Sequence, residues 1–208
     1  MERREAIKWM LSATAAVAFL DRAALGGGPL RPAPGARGYG NDPDMLKTYQ
    51  PGEVWPLILS PAQRRAATAL CDVIIPADAG SPSASDLGVP AFIDEWVSAP
   101  YAGHDRDREV IGAGLDWLDA EAQKRFGTDF AGLVWTQKSQ ICDGICYAPK
   151  ALPAYRQAAE FFRRFRNLTA GGFYTTPEGM KDIGYVGNVP TASFEGPPPA
   201  ALAKLGLT

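Results

Sequence analysis

The sequence predicts an all-α protein, with one small helical domain between two extended arms. Apolar residues recur at helical spacing in several segments between residues 60 and 183, and no stretch shows the sustained alternation of a β-strand. The 18 prolines and 22 glycines crowd residues 26–56 and 184–200. Because these residues break helices and sheet ladders, we expect both crowded regions to be extended.

The pattern divides the chain into four segments: an N-terminal signal at 1–30, an extended arm at 31–57, a helical domain at 58–183 and an extended arm at 184–208. The helical domain begins where Ser60 can cap a helix that has Pro61 in its first turn and Gln63 reaching back to the cap. The chain of 208 residues is long enough for one domain with a real core.

Further helices are expected in the rest of the domain. One apolar stripe comprises Val89, Phe92, Ile93, Trp96 and Val97. A longer segment at 105–126 places Ile111, Leu115, Leu118 and Ala122 inward and Asp116, Asp119, Glu121 and Lys124 outward. Segments 137–147 and 153–168 continue the pattern, and Thr176 precedes a proline in another capped start. We expect most aromatic residues of the last long helix to pack in the core.

The first twenty residues indicate an export signal. Arg3 and Arg4 precede an alanine-rich apolar run at 9–20, and Lys8 stands where the usual twin-arginine pattern has a lysine. At about 1.5 Å per residue, the run falls short of a hydrocarbon core about 30 Å thick. The pattern favours export of a folded bacterial protein to the periplasm by the twin-arginine translocon. An ordinary secretory signal, an amphipathic helix and a chance arginine pair remain as alternatives.

Composition restricts the chemistry available to this chain. A formal net charge of −2 gives no basis for nucleic-acid binding. The single histidine, His104, is interpreted as a loop residue, and an independent enzyme that uses it with Asp105 or Asp107 is the less favoured alternative. We expect no catalytic residue, no metal site and no cofactor in this chain.

Three cysteines are present: Cys71, Cys142 and Cys146. Residues one helical turn apart have Cβ atoms about 5–6 Å apart, whereas a disulfide needs about 3.8 Å. An internal bridge between Cys142 and Cys146 would therefore require the helix to break, which Gly144 permits. An odd number of cysteines in an oxidising compartment leaves one thiol free or bonded to another chain. We favour Cys142 or Cys146 over Cys71 for that bond.

The chain resembles the small subunit (subunit 3, or gamma) of gluconate 2-dehydrogenase and of related membrane-bound sugar dehydrogenases. The resemblance includes the leader and continues through blocks at residues 59–63, 72–78, 88–94, 126–130, 172–179 and 182–190. The last two blocks are the most specific. They contain the candidate partner-binding residues Phe173, Tyr174, Tyr185, Asn188 and Pro190.

The resemblance implies a non-catalytic subunit. In such complexes a large flavoprotein of the glucose-methanol-choline type holds FAD and oxidises the sugar, and a multihaem cytochrome c passes electrons to quinone. The small subunit is expected to help the flavoprotein mature and to carry it through the translocon. This sequence has neither a dinucleotide-binding glycine motif nor a haem-attachment motif, so FAD and haem c are expected on the partner subunits. A stand-alone periplasmic binding or scaffold protein is the alternative.

Overall fold

A computed structural model of the chain describes residues 29–41, 43–187, 190, 192–193 and 196–207. Within these residues the structure contains seven α-helices and no β-strand. The all-α prediction is therefore confirmed. The predicted signal residues Arg3, Arg4 and Lys8, and the candidate partner residue Asn188, lie outside the described residues.

Five helices form the domain and two short helices follow them. They are α1 (Pro61–Ile74), α2 (Val89–Ser98), α3 (Asp105–Phe126), α4 (Trp135–Asp143), α5 (Arg156–Tyr174), α6 (Pro177–Asp182) and α7 (Pro199–Lys204). Single 3₁₀ turns occupy Ala102–His104, Ala148–Lys150 and Pro153–Tyr155. None of the described helices combines the length and the apolar character that crossing a bilayer requires.

The start of α1 follows the prediction from local sequence. The Ser60 hydroxyl oxygen accepts a hydrogen bond from the Gln63 backbone N–H at 3.2 Å, and the Gln63 side-chain oxygen accepts one from the Ser60 N–H at 3.0 Å. This reciprocal pair satisfies two backbone donors that a helix N-terminus leaves without partners inside the helix. The predicted cap of α6 also forms, because the Thr176 hydroxyl accepts the Gly179 N–H at 3.0 Å.

Helix α5 lies at the centre of the domain. It packs most extensively on α3 and also contacts α1, α2 and α6. The inward residues predicted for α3 are all fully buried, as are Phe161 and Phe165 on α5. The amphipathic pattern of α3 and α5 therefore marked the correct core face, and burial of these side chains is the main source of the fold's stability. In α2, Val89, Ile93 and Val97 of the predicted stripe are buried, but Phe92 is exposed.

Helices α3 and α5 approach each other closely at one glycine. A Cβ atom built on Gly114 of α3 would lie 1.9 Å from Cγ of Phe161, much closer than atoms in contact can approach. The ring of Phe161 therefore packs directly against the α3 backbone. Only glycine at position 114 allows this spacing between the two helices.

Three carboxylates predicted to face solvent on α3 instead bond to other elements. Glu121 is buried and accepts a hydrogen bond from the Tyr155 hydroxyl at 2.8 Å. Burial tends to raise the pKa of Glu121, but the hydrogen bonds from Tyr155 and Arg125 outweigh this effect and lower it. Asp116 accepts from the Gln63 amide at 2.8 Å, and Asp119 accepts from the Phe130 N–H at 3.0 Å. The outward placement of Glu121 was wrong because the prediction did not include its partners.

The described parts of the two arms are extended except for α7. Proline occupies the first position of α7, where its missing N–H is not needed, and the alanines that follow favour a helix. This short helix was not predicted within the C-terminal arm at 184–208. The N-terminal arm contains turns but no helix or strand between residues 29 and 41 or between residues 43 and 57.

The close approach at Gly114 predicts opposite effects for two Gly→Ala substitutions in helices. Gly114→Ala should lower the free energy of unfolding by about 1–3 kcal/mol, because the new methyl group overlaps the Phe161 ring. Gly171→Ala is the matched control: a Cβ at this position of α5 meets nothing within 4 Å. It should raise the free energy of unfolding by about 0.5–1 kcal/mol. Urea denaturation followed by circular dichroism measures both, and equal stabilities would contradict the close packing.

Candidate partner-binding surface

The N-terminal arm packs against α2 through Trp55. This side chain is buried, and its indole N–H donates to the Glu95 carbonyl oxygen at 3.1 Å. The Glu95 carboxylate accepts the Gly52 N–H at 2.8 Å. Although the sequence predicts only an extended arm here, Gly52 and Trp55 are bonded to the helical domain. The burial of one large aromatic side chain outweighs the low helical and strand propensity of the surrounding chain.

Aromatic rings extend this contact along the arm. The Trp55 ring packs edge to face on Tyr39 and on Tyr101, with centroid distances of 5.2 and 5.8 Å. The Tyr101 hydroxyl also accepts the Tyr39 N–H at 3.0 Å. Gly38 allows this approach, because a Cβ there would lie 2.4 Å from the Tyr101 ring. The arm thus has a fixed position relative to α2.

A buried carboxylate on α2 binds the beginning of α1 and the residue before its cap. Asp94 is almost completely buried, and its two oxygens accept from the Leu59 N–H at 3.1 Å and from the Arg64 guanidinium at 2.9 Å. A buried charge is tolerated only when it is paired and hydrogen-bonded. These contacts join the start of α1, directly after the arm, to α2.

The side chain of His104 packs against α2. Its imidazole stacks on the Trp96 indole with the ring centroids 4.3 Å apart. Its Nδ1 lies 2.9 Å from the Trp96 carbonyl oxygen, which can only accept, so Nδ1 carries the proton. The ring is half-buried rather than in a solvated loop. His104 therefore packs the 3₁₀ turn that precedes α3 against α2.

The two carboxylates considered as partners of His104 are bonded elsewhere. Asp107 accepts from the Trp96 indole N–H at 2.7 Å and from Nε and Nη2 of the Arg164 guanidinium. Burial raises the pKa of Asp107, but these hydrogen bonds outweigh it and lower the pKa overall. Asp105 pairs with Arg108, whose guanidinium also caps two backbone carbonyls at the end of α2. Within the described residues no group of three or more potential ligands is placed to hold a metal ion.

Exposed apolar side chains surround α6. We define the α6 surface as Tyr174, Ile183, Tyr185 and Val186, all of which are exposed. The backbone of Gly179 lies close to two of them: a Cβ there would lie 2.9 Å from the Tyr174 Cα, and its carbonyl accepts the Ile183 N–H at 3.3 Å. The Tyr185 N–H bonds to the Met180 carbonyl at 2.8 Å, which turns the chain back over α6.

The structure describes four of the five predicted partner-binding residues and places them in three different environments. Tyr174 and Tyr185 belong to the α6 surface, and Pro190 is exposed farther along the arm. Phe173 is fully buried, so its assignment to a free surface was wrong. Phe173 and Tyr174 are neighbours, and the rotation of α5 points only the first of them into the core. Ile183 and Val186 were not predicted, although both lie in the block at 182–190.

The three cysteines are free thiols in different environments. Cys71 and Cys142 are buried, and burial raises the pKa of each to about 12. Cys146 is exposed, three residues beyond the end of α4 at Asp143. The internal bridge between Cys142 and Cys146 is not formed. Because the reactive species is the thiolate, Cys146 is the thiol best placed for bonding to another chain.

A family model described as gluconate 2-dehydrogenase subunit 3 matches residues 61–196. The chain belongs to this family. The match extends from the first residue of α1 beyond the α6 surface, so it includes helices α1 to α6. Searches of curated proteins and of solved structures give no significant match. A subunit of a dehydrogenase complex needs contacts with its partners, and the exposed apolar residues around α6 lie within the part that defines the family.

Proposed function

We propose that this chain is the accessory subunit that binds the FAD-dependent catalytic subunit of a sugar or alcohol dehydrogenase and carries it to the periplasm. The catalytic subunit would be a flavoprotein of the glucose-methanol-choline type, with a multihaem cytochrome c as a further partner. Family membership supports the accessory role in a dehydrogenase complex. The Arg3–Arg4 pair supports export by the twin-arginine pathway, in which cargo crosses already folded.

The α6 surface is the observation that carries the proposed binding function. Exposed apolar residues scattered singly are ordinary, but a contiguous set rimmed by polar residues is typical of a protein interface. Tyrosine is enriched among the residues that dominate interface energies, because its ring packs and its hydroxyl bonds. The surface includes two tyrosines and two aliphatic side chains around a short helix fixed by Gly179. We propose that the flavoprotein covers it.

Replacing two residues of the α6 surface tests this binding site. The double variant Tyr185→Ser, Val186→Ser should bind the flavoprotein about 10- to 100-fold more weakly, because two anchors lose their contacts. Their side chains are exposed by 57% and 80%, so the chain should fold as before. Val134→Ser is the matched control, since Val134 is 61% exposed at the start of α4. Calorimetry with purified subunits measures the affinities, and weaker binding by the Val134 variant alone would place the interface at α4.

The leader arginines are tested by fractionating cells that express both subunits. The double variant Arg3→Lys, Arg4→Lys keeps the charge but loses the planar guanidinium groups, so the translocon receptor should no longer recognise it. Both subunits should then remain in the cytoplasm. The variant Arg31→Lys, Arg37→Lys makes the same change in the exposed arm and should leave export intact. A flavoprotein that reaches the periplasm with the Arg3, Arg4 variant would rule out the carrier role.

The exposed Cys146 is proposed to form a disulfide with a cysteine of a partner subunit. A periplasmic thiol oxidoreductase would accept the two electrons and two protons that the thiols lose. A non-reducing gel of the native complex should show a covalently linked species that disappears in Cys146→Ser. Cys71→Ser should retain it, because Cys71 is buried in the core. A linked species that survives in Cys146→Ser would assign the bond to another cysteine.

A further inference from the structure

The arm carries two neighbouring apolar side chains that contact almost nothing. Met45 is 86% exposed and Leu46 is 98% exposed, the largest exposed fractions among the large hydrophobic residues that the structure describes. They stand at a turn between Pro43 and Lys47. A single exposed leucine is unremarkable on a protein surface, but a bare apolar pair at the tip of a fixed loop is a feature typical of an interface anchor.

The turn beneath this pair is held by local hydrogen bonds. The Asp44 carboxylate accepts the Leu46 N–H at 3.0 Å, and the Asp44 carbonyl accepts the Lys47 N–H at 3.2 Å. An aspartate that bonds to the backbone two residues on is a standard way to fix a turn. These hydrogen bonds therefore fix the backbone conformation at Leu46, although its side chain is exposed.

The chain on the far side of the tip closes the loop. The Lys47 ammonium pairs with the Glu53 carboxylate, which also accepts the Gln50 N–H at 3.0 Å. The same ammonium lies 4.5 Å from the centre of the Tyr49 ring. Tyr49 in turn packs edge to face on Tyr39, with the ring centroids 5.1 Å apart. These contacts join the tip to the aromatic rings that dock the arm on α2.

The charges around the tip favour a protein pocket over a lipid surface. A loop that inserts into a bilayer is usually accompanied by free lysines or arginines that meet anionic headgroups. Here the ammonium of Lys47 is engaged by Glu53, and the neighbouring Asp44 is exposed and negative. An apolar cavity with a cation or an N–H donor at its rim complements this arrangement.

We propose that Met45 and Leu46 form a wedge that inserts into an apolar pocket with a positively charged rim on the catalytic subunit of the complex. This inference rests on the proposed function, because it names a second contact with the same partner. The wedge lies outside residues 61–196, the part that matches the family. It therefore acts as a determinant of which catalytic subunit this chain accepts, whereas the α6 surface lies in the part that the family shares.

The wedge is tested with the full chain and the catalytic subunit, each purified, by calorimetry. The buffer is reducing, so that no disulfide between the subunits masks a change in affinity. Leu46→Ser should weaken binding about 10-fold, and Met45→Ser with Leu46→Ser at least about 30-fold. Leu152→Ser is the matched control, because Leu152 is 62% exposed elsewhere on the domain. It should bind within about 2-fold of the wild type. All of these variants should melt at the wild-type temperature, because the side chains they remove are exposed.

The charge of the tip is tested separately. Asp44→Asn keeps the oxygen that accepts the Leu46 N–H but removes the negative charge, so it should bind several-fold more weakly and with a smaller dependence on salt. Wild-type affinity in the Met45, Leu46 double variant would overturn the wedge while leaving the proposed function in place. The absence of any wild-type complex would overturn both.

Two further results would assign the tip to another occupant and overturn the proposal. One is binding of the chain alone to vesicles that contain phosphatidylglycerol, if Leu46→Ser abolishes it. The other is a dimer of the chain alone in sedimentation experiments, if the same substitution dissociates it.

Discussion

The contact between Gly114 and the Phe161 ring sets the position of α5, and the rest of the domain depends on that position. Because no α3 side chain separates the Phe161 ring from the α3 backbone, α5 lies close to α3; it also contacts α1 and α2, and its C-terminal end supports α6. A second close approach then fixes α6: a Cβ on Gly179 would lie 2.2 Å from the Phe173 carbonyl oxygen. Two positions without side chains thus determine where the exposed residues around α6 stand.

Carboxylates paired with arginines also help to fix the positions of the helices. Asp94, Asp107 and Glu121 are each largely removed from water, and each accepts hydrogen bonds from an arginine and from at least one neutral donor on another part of the chain. Removing one partner of such a pair leaves a charge without compensation, which is more destabilising than the pair is stabilising. These pairs therefore make the arrangement of the helices specific. One of them holds Asp107, three residues from His104, in a structural ion pair with Arg164.

Local features of the fold could be predicted from the sequence, and features that depend on distant partners could not. Ser60 and Gln63 are three residues apart, so their capping box is visible in the sequence, and the inward stripe of α3 follows from periodicity alone. The burial of Glu121 depends on Tyr155, and that of Trp55 depends on Glu95, which follows it by 40 residues. The exposure of Tyr174 but not Phe173 depends on the rotation of α5, which is set by its packing.

The docked arm changes the energetics expected of partner binding. An arm that becomes ordered only on a partner pays the loss of its conformational freedom at the moment of association, which weakens the complex. Here residues 38–41 and 43–55 are ordered by contacts within the chain, through Trp55, Tyr101 and Glu95. That loss is therefore part of folding and not of binding. A partner that contacts the arm gains most of the free energy of the contact, so two exposed side chains at its tip are enough to influence affinity.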